Sequence, residues 1–308
     1  MTDVVREEVP AALAGQRLDR IVAFVADLSR SEAASTIAAG GVRVDGSHAG
    51  SGKVRLEDGQ IVEVDLAAVP KEQLPSADPD VAFEVIHDDD AVIVVNKPPG
   101  LVVHPGAGNT TGTLAHGLLH RFPELADVGE PIRPGIVHRL DAGSSGLLVV
   151  ARTNDAVEAL IAQFADHSAT RVYTAVVWGV PSAPHGVIDA PLGRSRSDPL
   201  RMAVVADGRP SRTDYQVVGS FTSPATVSRL ECRLETGRTH QIRVHLSSIN
   251  HPLLGDPIYG QRRPNLGLAR PFLHASELAF DHPVSGERLT FRVPLAEDLQ
   301  AWLDRAEP

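Results

Sequence analysis

The chain is poor in several kinds of residue, and each shortage closes a possibility. One cysteine, Cys232, stands among 308 residues, so no intrachain disulfide forms and no cysteine cluster holds a metal. Aromatic residues make up 4% of the chain and hydrophobic residues 43%, so the core must be built mainly from Val, Leu, Ala and Ile. No apolar run approaches the roughly 20 residues that span a bilayer. The first residues, MTDVVREEVP, are charged and lack the apolar stretch of a secretory signal. These absences indicate a cytoplasmic protein without a membrane partner. Positive charge is also in deficit: the formal net charge is −10, which argues against broad, nonspecific binding to nucleic acid. The charges are uneven, however. Arg194, Arg196, Arg201, Arg209 and Arg212 share one stretch with only Asp198 and Asp207, while acids gather elsewhere, as in HDDD at 87–90. A local basic strip on an acidic protein is compatible with an RNA partner.

Periodicity divides what is present into a small unit and a large one. Leu18, Ile21 and Val22 share one helical face with Val25 a turn further on. LSRSEAASTIAAGG follows as serine caps, an Ala-rich helix and a Gly-Gly stop. GVRVDG is a short strand entering an Asp-Gly turn, and GQIVEVDL alternates like a strand. The small unit is placed at 15–66. Residues 67–80 hold three prolines and no period, which marks a linker. Residues 81–308 form the larger domain, with strands expected at 82–86, 91–96, 146–152, 171–178, 213–218, 226–235, 275–280 and 288–293. Helices are expected after a cap at Thr153, with Val157, Leu160, Ile161 and Phe164 buried, and at 113–121 and 295–305. Strands outnumber helices without regular alternation, so the fold class is α+β: a mixed, mainly antiparallel central sheet with flanking helices and loops.

Four stretches combine polar side chains with loop-forming Gly and Pro. NKPPGLVVHPGAG at 96–108 reads first as a loop, with Lys97 and His104 facing a ligand or water. HRLDAGSSG at 138–146 sets Asp141 at a turn between two apolar runs. A carboxylate there can cap the turn, bind a metal or attack an electrophile. No metal-ligand spacing accompanies it: His116 and His120 are four apart, without the intervening pattern of a zinc helix. LETGRTHQIRVHL at 234–246 packs Arg238, His240, Gln241, Arg243 and His245 around one turn. That density suits a phosphate or a base edge, or the start of a solvated helix. NHPLLGDPIYG at 250–260 reads as a structural turn. Ser144 and Ser145 do not make a hydrolase, because GSSG is not the nucleophile-elbow pattern.

Taken together, HRLD with SGLLVVART, RVYTAVVWG, LETGRTHQIRVHL, HPLLGDPIYG and FLHA, in that order, resemble the RluA-type pseudouridine synthases. NKPPGLVVHPG resembles the first motif of the same family, and the likeness runs from about 82 to 295. Residues 15–66 resemble an S4 RNA-binding domain, a small α/β unit found at the N-terminus of many members acting on large-subunit ribosomal RNA. The resemblance implies a pseudouridine synthase fold and an isomerase that needs neither cofactor nor metal. It implies Asp141 as the catalytic aspartate, Tyr173 packing on the base and helping remove the C5 proton, and Arg243 pairing with the aspartate. It further implies Leu273 as an apolar wall of the uracil pocket and Arg139 entering the RNA stack. Arg238, His240 and Gln241 are expected to touch RNA. The implied partner is 23S-type ribosomal RNA or a ribosomal precursor, bound by a monomer. The alternatives are a family member acting on transfer RNA and a non-catalytic ribosome-assembly factor; retention of Asp141, Tyr173 and Arg243 argues against the latter. Two departures stand out. Ala142-Gly143-Ser144 replace the family's basic or large residue, acid and Thr, which implies a more mobile loop. The unit between 15 and 75 carries seven basic and nine acidic residues, which implies modest RNA affinity.

Overall fold

A computed structural model describes residues 4–28, 30–69, 74–106, 108–198, 201–260 and 262–306. The chain separates into two compact units, Met1–Glu72 and Gln73–Pro308.

The first unit contains β1 (Val4–Glu8), α1 (Leu18–Val25), α2 (Arg30–Ala38), β2 (Val42–Val44), β3 (Ser47–His48) and β4 (Ile61–Asp65). Its sheet runs β1-β4-β2-β3. Leu18, Ile21 and Val22 of α1 bury against Ile37, Val42, Val62 and Val64, the face that the periodicity marks. Asp45 and Gly46 both have positive φ, the geometry an Asp-Gly hairpin turn requires. Strand β1 extends the unit before residue 15. Its VVREE side chains are almost all exposed, so it carries no alternation; backbone pairing with β4 holds it in place. Ser29, among the expected helix caps, lies outside the described residues, as do 70–73 of the expected linker. Residues 66–68 form a 3-10 turn capped by the Asp65 carboxylate, and the Asp78 amide donates to the carbonyl of His116 at 3.1 Å.

The second unit contains β5 (Glu84–Asp88), β6 (Val92–Lys97), α3 (Leu114–Arg121), β7 (Gly129–Glu130), β8 (Arg133–Pro134), β9 (Ser145–Ala151), α4 (Asn154–Ala165), β10 (Thr170–Trp178), β11 (His185–Asp189), β12 (Leu192–Arg194), β13 (Met202–Val204), β14 (Arg212–Phe221), β15 (Val227–Leu234), α5 (Gln241–Ser248), β16 (Leu273–Asp281), β17 (Arg288–Arg292) and α6 (Glu297–Leu303). The main sheet runs β11-β14-β15-β10-β16-β9-β6-β5, with β17 paired to β16. Every pairing in it is antiparallel except β9 with β16. The fold is α+β, and the eight strands read from the sequence are all present. Strand β9 is buried along its whole length, which is why GLLVV reads as a continuous apolar run instead of alternating. The Thr153 hydroxyl accepts from the Ala156 amide at 3.1 Å and caps α4. Strands β11 to β13 were not legible: HGVID is largely exposed, and β12 and β13 are three residues each.

The basic strip lies along this short hairpin, and much of its charge is answered locally. Arg196 pairs with Asp207, Arg201 with Asp198, and Arg212 with both Asp189 and Glu235. Residues 199–200 lie outside the described residues.

The parallel contact of β9 with β16 positions the functional loop. Ser145 lies opposite His274 and Gly146 opposite Ala275, and the Ser145 hydroxyl bonds His274 Nδ1 at 2.9 Å. Gly146 has φ +112°, and a Cβ there would meet the Ala275 carbonyl oxygen at 2.2 Å. Only glycine permits this approach, which fixes where the residues before β9 emerge.

Candidate active site

Three adjacent strands converge on one cleft. Asp141 lies in the loop that enters β9, Leu273 opens β16, and Tyr173 lies on β10, where it faces Ala275 across the ladder. Asp141 stands where two clefts meet. Its side chain is 16% exposed. The backbone closes the turn without it, since the Ser144 amide donates to the Asp141 carbonyl at 3.0 Å. The carboxylate itself faces Arg243, whose Nη1 donates to Oδ2 at 3.3 Å. The turn-capping role is therefore taken by the main chain. Among the described residues, no group of three or more His, Cys, Asp or Glu side chains could hold a metal.

Arg243 is aimed by a second aspartate. Its Nε and Nη2 donate to Oδ2 and Oδ1 of Asp256 at 2.8 and 3.0 Å, a planar two-point grip. Oδ1 of Asp256 also accepts from the amides of Ile258 and Tyr259, both at 2.9 Å. Burial pushes the Asp256 carboxyl up, but Arg243 and these two amides hold it below the usual range. The Arg243 guanidinium lies 5.1 Å from the Tyr259 ring centre. With the fork occupied, Nη1 is the edge left to point at Asp141. NHPLLGDPIYG is thus more than the structural turn expected of it: its one aspartate orients the cation of the site. The available signal was a lone acid between Gly255 and Pro257 inside an apolar stretch.

Lys97, expected to face a ligand or water, turns inward instead. It is fully buried, and its ammonium donates to the carbonyls of Pro98 at 2.9 Å, Leu101 at 2.8 Å and Ala142 at 3.3 Å. Burial and then the charge of Arg270 pull the amine down to about 7, against the opposing pull of Asp141. Three acceptors around one nitrogen match the three protons of an ammonium. Arg270 completes the support: it grips Asp298 of α6 at two points and donates to the Gly143 carbonyl at 3.1 Å. The loop expected to be more mobile is therefore anchored through its carbonyls, and its small side chains do not weaken that hold. A Cβ on Gly143 would already sit 3.1 Å from Pro271 Cδ. Replacing Lys97 with Met is expected to orphan the carbonyls of Pro98 and Leu101, at about 1–3 kcal/mol each. Urea unfolding of the variant should show that loss, with turnover reduced more than RNA affinity. An unfolding midpoint and turnover equal to those of the parent would refute the anchoring role.

Tyr173 is 6% exposed. Burial pushes its phenol up to about 12, opposed by Arg171 and reinforced by Asp141, so the resting group is neutral. Leu273, Arg139, Arg238 and His240 line the same cleft. His240 has φ +57°; its Nδ1 bonds the Tyr259 hydroxyl at 2.9 Å, and its Nε2 lies 4.0 Å from Asp141. Arg139 is exposed. The Gln241 oxygen accepts from the Thr236 hydroxyl and the Arg238 amide, and its nitrogen donates to the Arg212 carbonyl and the Thr213 hydroxyl. Every hydrogen-bonding position of the amide is used internally, so Gln241 shapes the loop beside the cleft it lines. His116, one of the paired histidines, caps α3: its Nδ1 accepts from the Thr113 amide at 3.3 Å and bonds the Thr113 hydroxyl at 2.8 Å. The arrangement presents one aimed carboxylate and one pre-oriented cation in a cleft with an apolar, aromatic floor. Such a site can hold a flat base and stabilise or attack an electron-poor carbon.

Comparison with known proteins accords with this geometry. The family model for RNA pseudouridylate synthase matches residues 91–248. The chain is 44% identical to a ribosomal large subunit pseudouridine synthase D of Zymomonas mobilis, over 93% of this chain and 92% of that one. It is 45% identical to an uncharacterized RNA pseudouridine synthase of Chloroflexus aurantiacus, over 95% and 90%. Among solved structures it is similar to human RNA pseudouridylate synthase domain containing 1, with a TM-score of 0.58, 27% identity, and coverage of 72% of this chain and 87% of that one.

Proposed function

The chain belongs to the RNA pseudouridylate synthase family, and from that premise we propose that it isomerises specific uridines of large-subunit ribosomal RNA, with Asp141 as the reacting carboxylate. The reaction breaks the bond from C1′ to N1, turns the uracil and rejoins it through C5. C5 loses a proton and N1 ends with one, so no atom is gained or lost and no cofactor is needed. The target uridine must leave the RNA stack, because C1′ and C5 are otherwise out of reach.

The observation that carries this reading is the aimed pair of Asp141 and Arg243 over Tyr173 and Leu273. A carboxylate so placed can add to C1′ or to the ring, or stabilise positive charge as the glycosidic bond loosens. Tyr173, a neutral phenol at rest, packs on the turned base; the C5 proton must pass to a basic group of the cleft, where the Asp141 carboxylate and the His240 imidazole stand 4.0 Å apart. Arg139, exposed at the rim, enters the stack as the uridine leaves. Arg238 and His240 meet the RNA around it.

Ribosomal RNA is favoured as substrate because relatives named for the ribosomal large subunit match along nearly the whole chain, small unit included. The enzyme works as a monomer in the cytoplasm; no helix among the described residues is long and apolar enough to cross a membrane. Pseudouridine mapping of ribosomal and transfer RNA from a deletion strain tests the target. Loss of large-subunit sites, restored on unmodified transcript by the purified chain, supports it. Loss confined to transfer RNA overturns it.

The first unit is read as an S4-like RNA clamp. A chain starting at residue 74 retains every proposed catalytic residue and the segment that docks on α3, so it is expected to keep the chemical step and bind RNA more weakly. The lost affinity should be mostly phosphate contacts, so the full chain should show a steeper fall of log affinity with log salt. Equal slopes on the same RNA fragment would remove the S4 reading.

A further inference from the structure

Three arginines of the chain are buried below a tenth of their surface among the described residues: Arg171, Arg243 and Arg270. Two of them are gripped fork to fork by an aspartate, Arg243 by Asp256 and Arg270 by Asp298. Arg171 is different. Its Nη2 donates to the Glu235 carbonyl at 3.0 Å, and its guanidinium lies 5.1 Å from the Phe164 ring centre. Its Nε is buried without a hydrogen-bond partner. Burial, and with it the charge of Arg238, presses against its ionisation, and among the described residues no carboxylate is paired with it. A buried cation without an anion is costly and is rarely kept without a use.

Its setting gives the use. Arg171 lies two residues before Tyr173 on β10, so both side chains project from the same face, and both line the catalytic cleft. The loop of LETGRTHQ passes over the guanidinium with bare backbone: a Cβ on Gly237 would stand 2.5 Å from Nη1. Arg133, Arg139 and Arg238 line the same cleft, and among the described residues Asp141 is the only acidic side chain that does. His138 packs on the same ring, 4.6 Å between ring centres. Its Nε2 accepts from the Val149 amide at 3.0 Å, so the ring proton is on Nδ1, which is buried and unpartnered. The lining around Arg171 is thus rich in N–H donors and, apart from Asp141, holds no acidic side chain among the described residues.

We infer that Arg171, with Arg238 beside it, receives the phosphodiester next to the target uridine and so seats the flipped nucleotide between Tyr173 and Asp141. The inference rests on reading this cleft as the uridine pocket. It makes Arg171 a positioning residue: it holds the strand, and the carboxylate meets C1′ or the ring because the phosphate is fixed.

The test crosses the protein change with a change in the RNA. Nonamers are taken from whichever RNA the wild-type chain converts, and each carries one neutral methylphosphonate in place of a phosphodiester. With wild type, the substitution beside the target uridine is expected to raise KM about tenfold, and substitutions further away much less. Arg171→Gln on the all-phosphate nonamer should raise KM by the same factor, change kcat less than threefold, and lower the salt slope by about one. The neutral linkage should then cost the variant nothing more, and Arg171→Lys should recover part of the loss. The proposal is overturned if the neutral linkage costs Arg171→Gln as much as it costs wild type, which is the pattern for uracil recognition or simple packing. It is equally overturned if no linkage beside the target matters to wild type, a result that needs no variant to fold. Failure of the target reading looks different: the RNA that wild type converts, and from which the nonamers are then taken, proves not to be ribosomal, and this is seen before any phosphate is changed.

Discussion

Asp141→Asn is expected to fold, to bind RNA and to form pseudouridine more than about 10³-fold slower. Asparagine keeps the shape of the side chain and removes its charge and nucleophilicity. The fold does not depend on that charge. The turn is closed by the Asp141 carbonyl, and the loop is held by Lys97 and Arg270 through the carbonyls of residues 142 and 143. Arg243 keeps its grip on Asp256, so the change in stability should be within about 1 kcal/mol. Affinity for RNA, measured by filter binding, should stay within a few-fold, because the anion removed lies among arginines that face the strand. Turnover near that of the parent would show that another group carries the chemistry.

The contrast between what the sequence reveals and what it hides follows from distance along the chain. Asp141 drew attention through its own turn between two apolar runs and Arg243 through a dense polar turn, whereas Tyr173 and Leu273 were named only through the family resemblance of the strings that hold them; the structure brings all four to one cleft. The strands were legible wherever burial imposes alternation, as on β15, or a continuous apolar run, as on β9. Lys97 and Asp256 were hidden because their partners are remote or unmarked. Lys97 meets Ala142 across 45 residues of chain, and Asp256 meets Arg243 across 13. Both stand in Gly- and Pro-rich stretches that read as turns. Gln241 shows another gap: the four internal hydrogen bonds by which its amide shapes the turn leave no mark in the sequence. Strand β1 was hidden for a third reason: an exposed edge strand has no buried face to leave a pattern.

The pair of Arg243 and Asp256 should separate stability from catalysis. Arg243→Met leaves the Asp256 carboxylate, whose side chain is fully buried, with two amides and no cation. A buried charge stripped of its partner typically costs about 3–5 kcal/mol. Turnover should also fall by about 10²-fold or more, since Asp141 loses the group that aims and stabilises it. Adding Asp256→Asn to Arg243→Met removes the orphaned charge. The asparagine oxygen can still accept from the amides of Ile258 and Tyr259, so most of the lost stability should return. Turnover should not, because no guanidinium then faces Asp141. Asp256→Asn alone should be intermediate: the turn keeps its amide bonds, but the side-chain nitrogen now meets an arginine N–H, and Nη1 is no longer held in line. Urea unfolding midpoints and single-turnover rates on one RNA fragment for the four proteins decide the matter. If the double variant regains turnover together with stability, Arg243 serves only the fold. If Arg243→Met unfolds at the parent's midpoint, the buried-charge argument fails, and the partition between aiming and packing must be drawn elsewhere in the cleft.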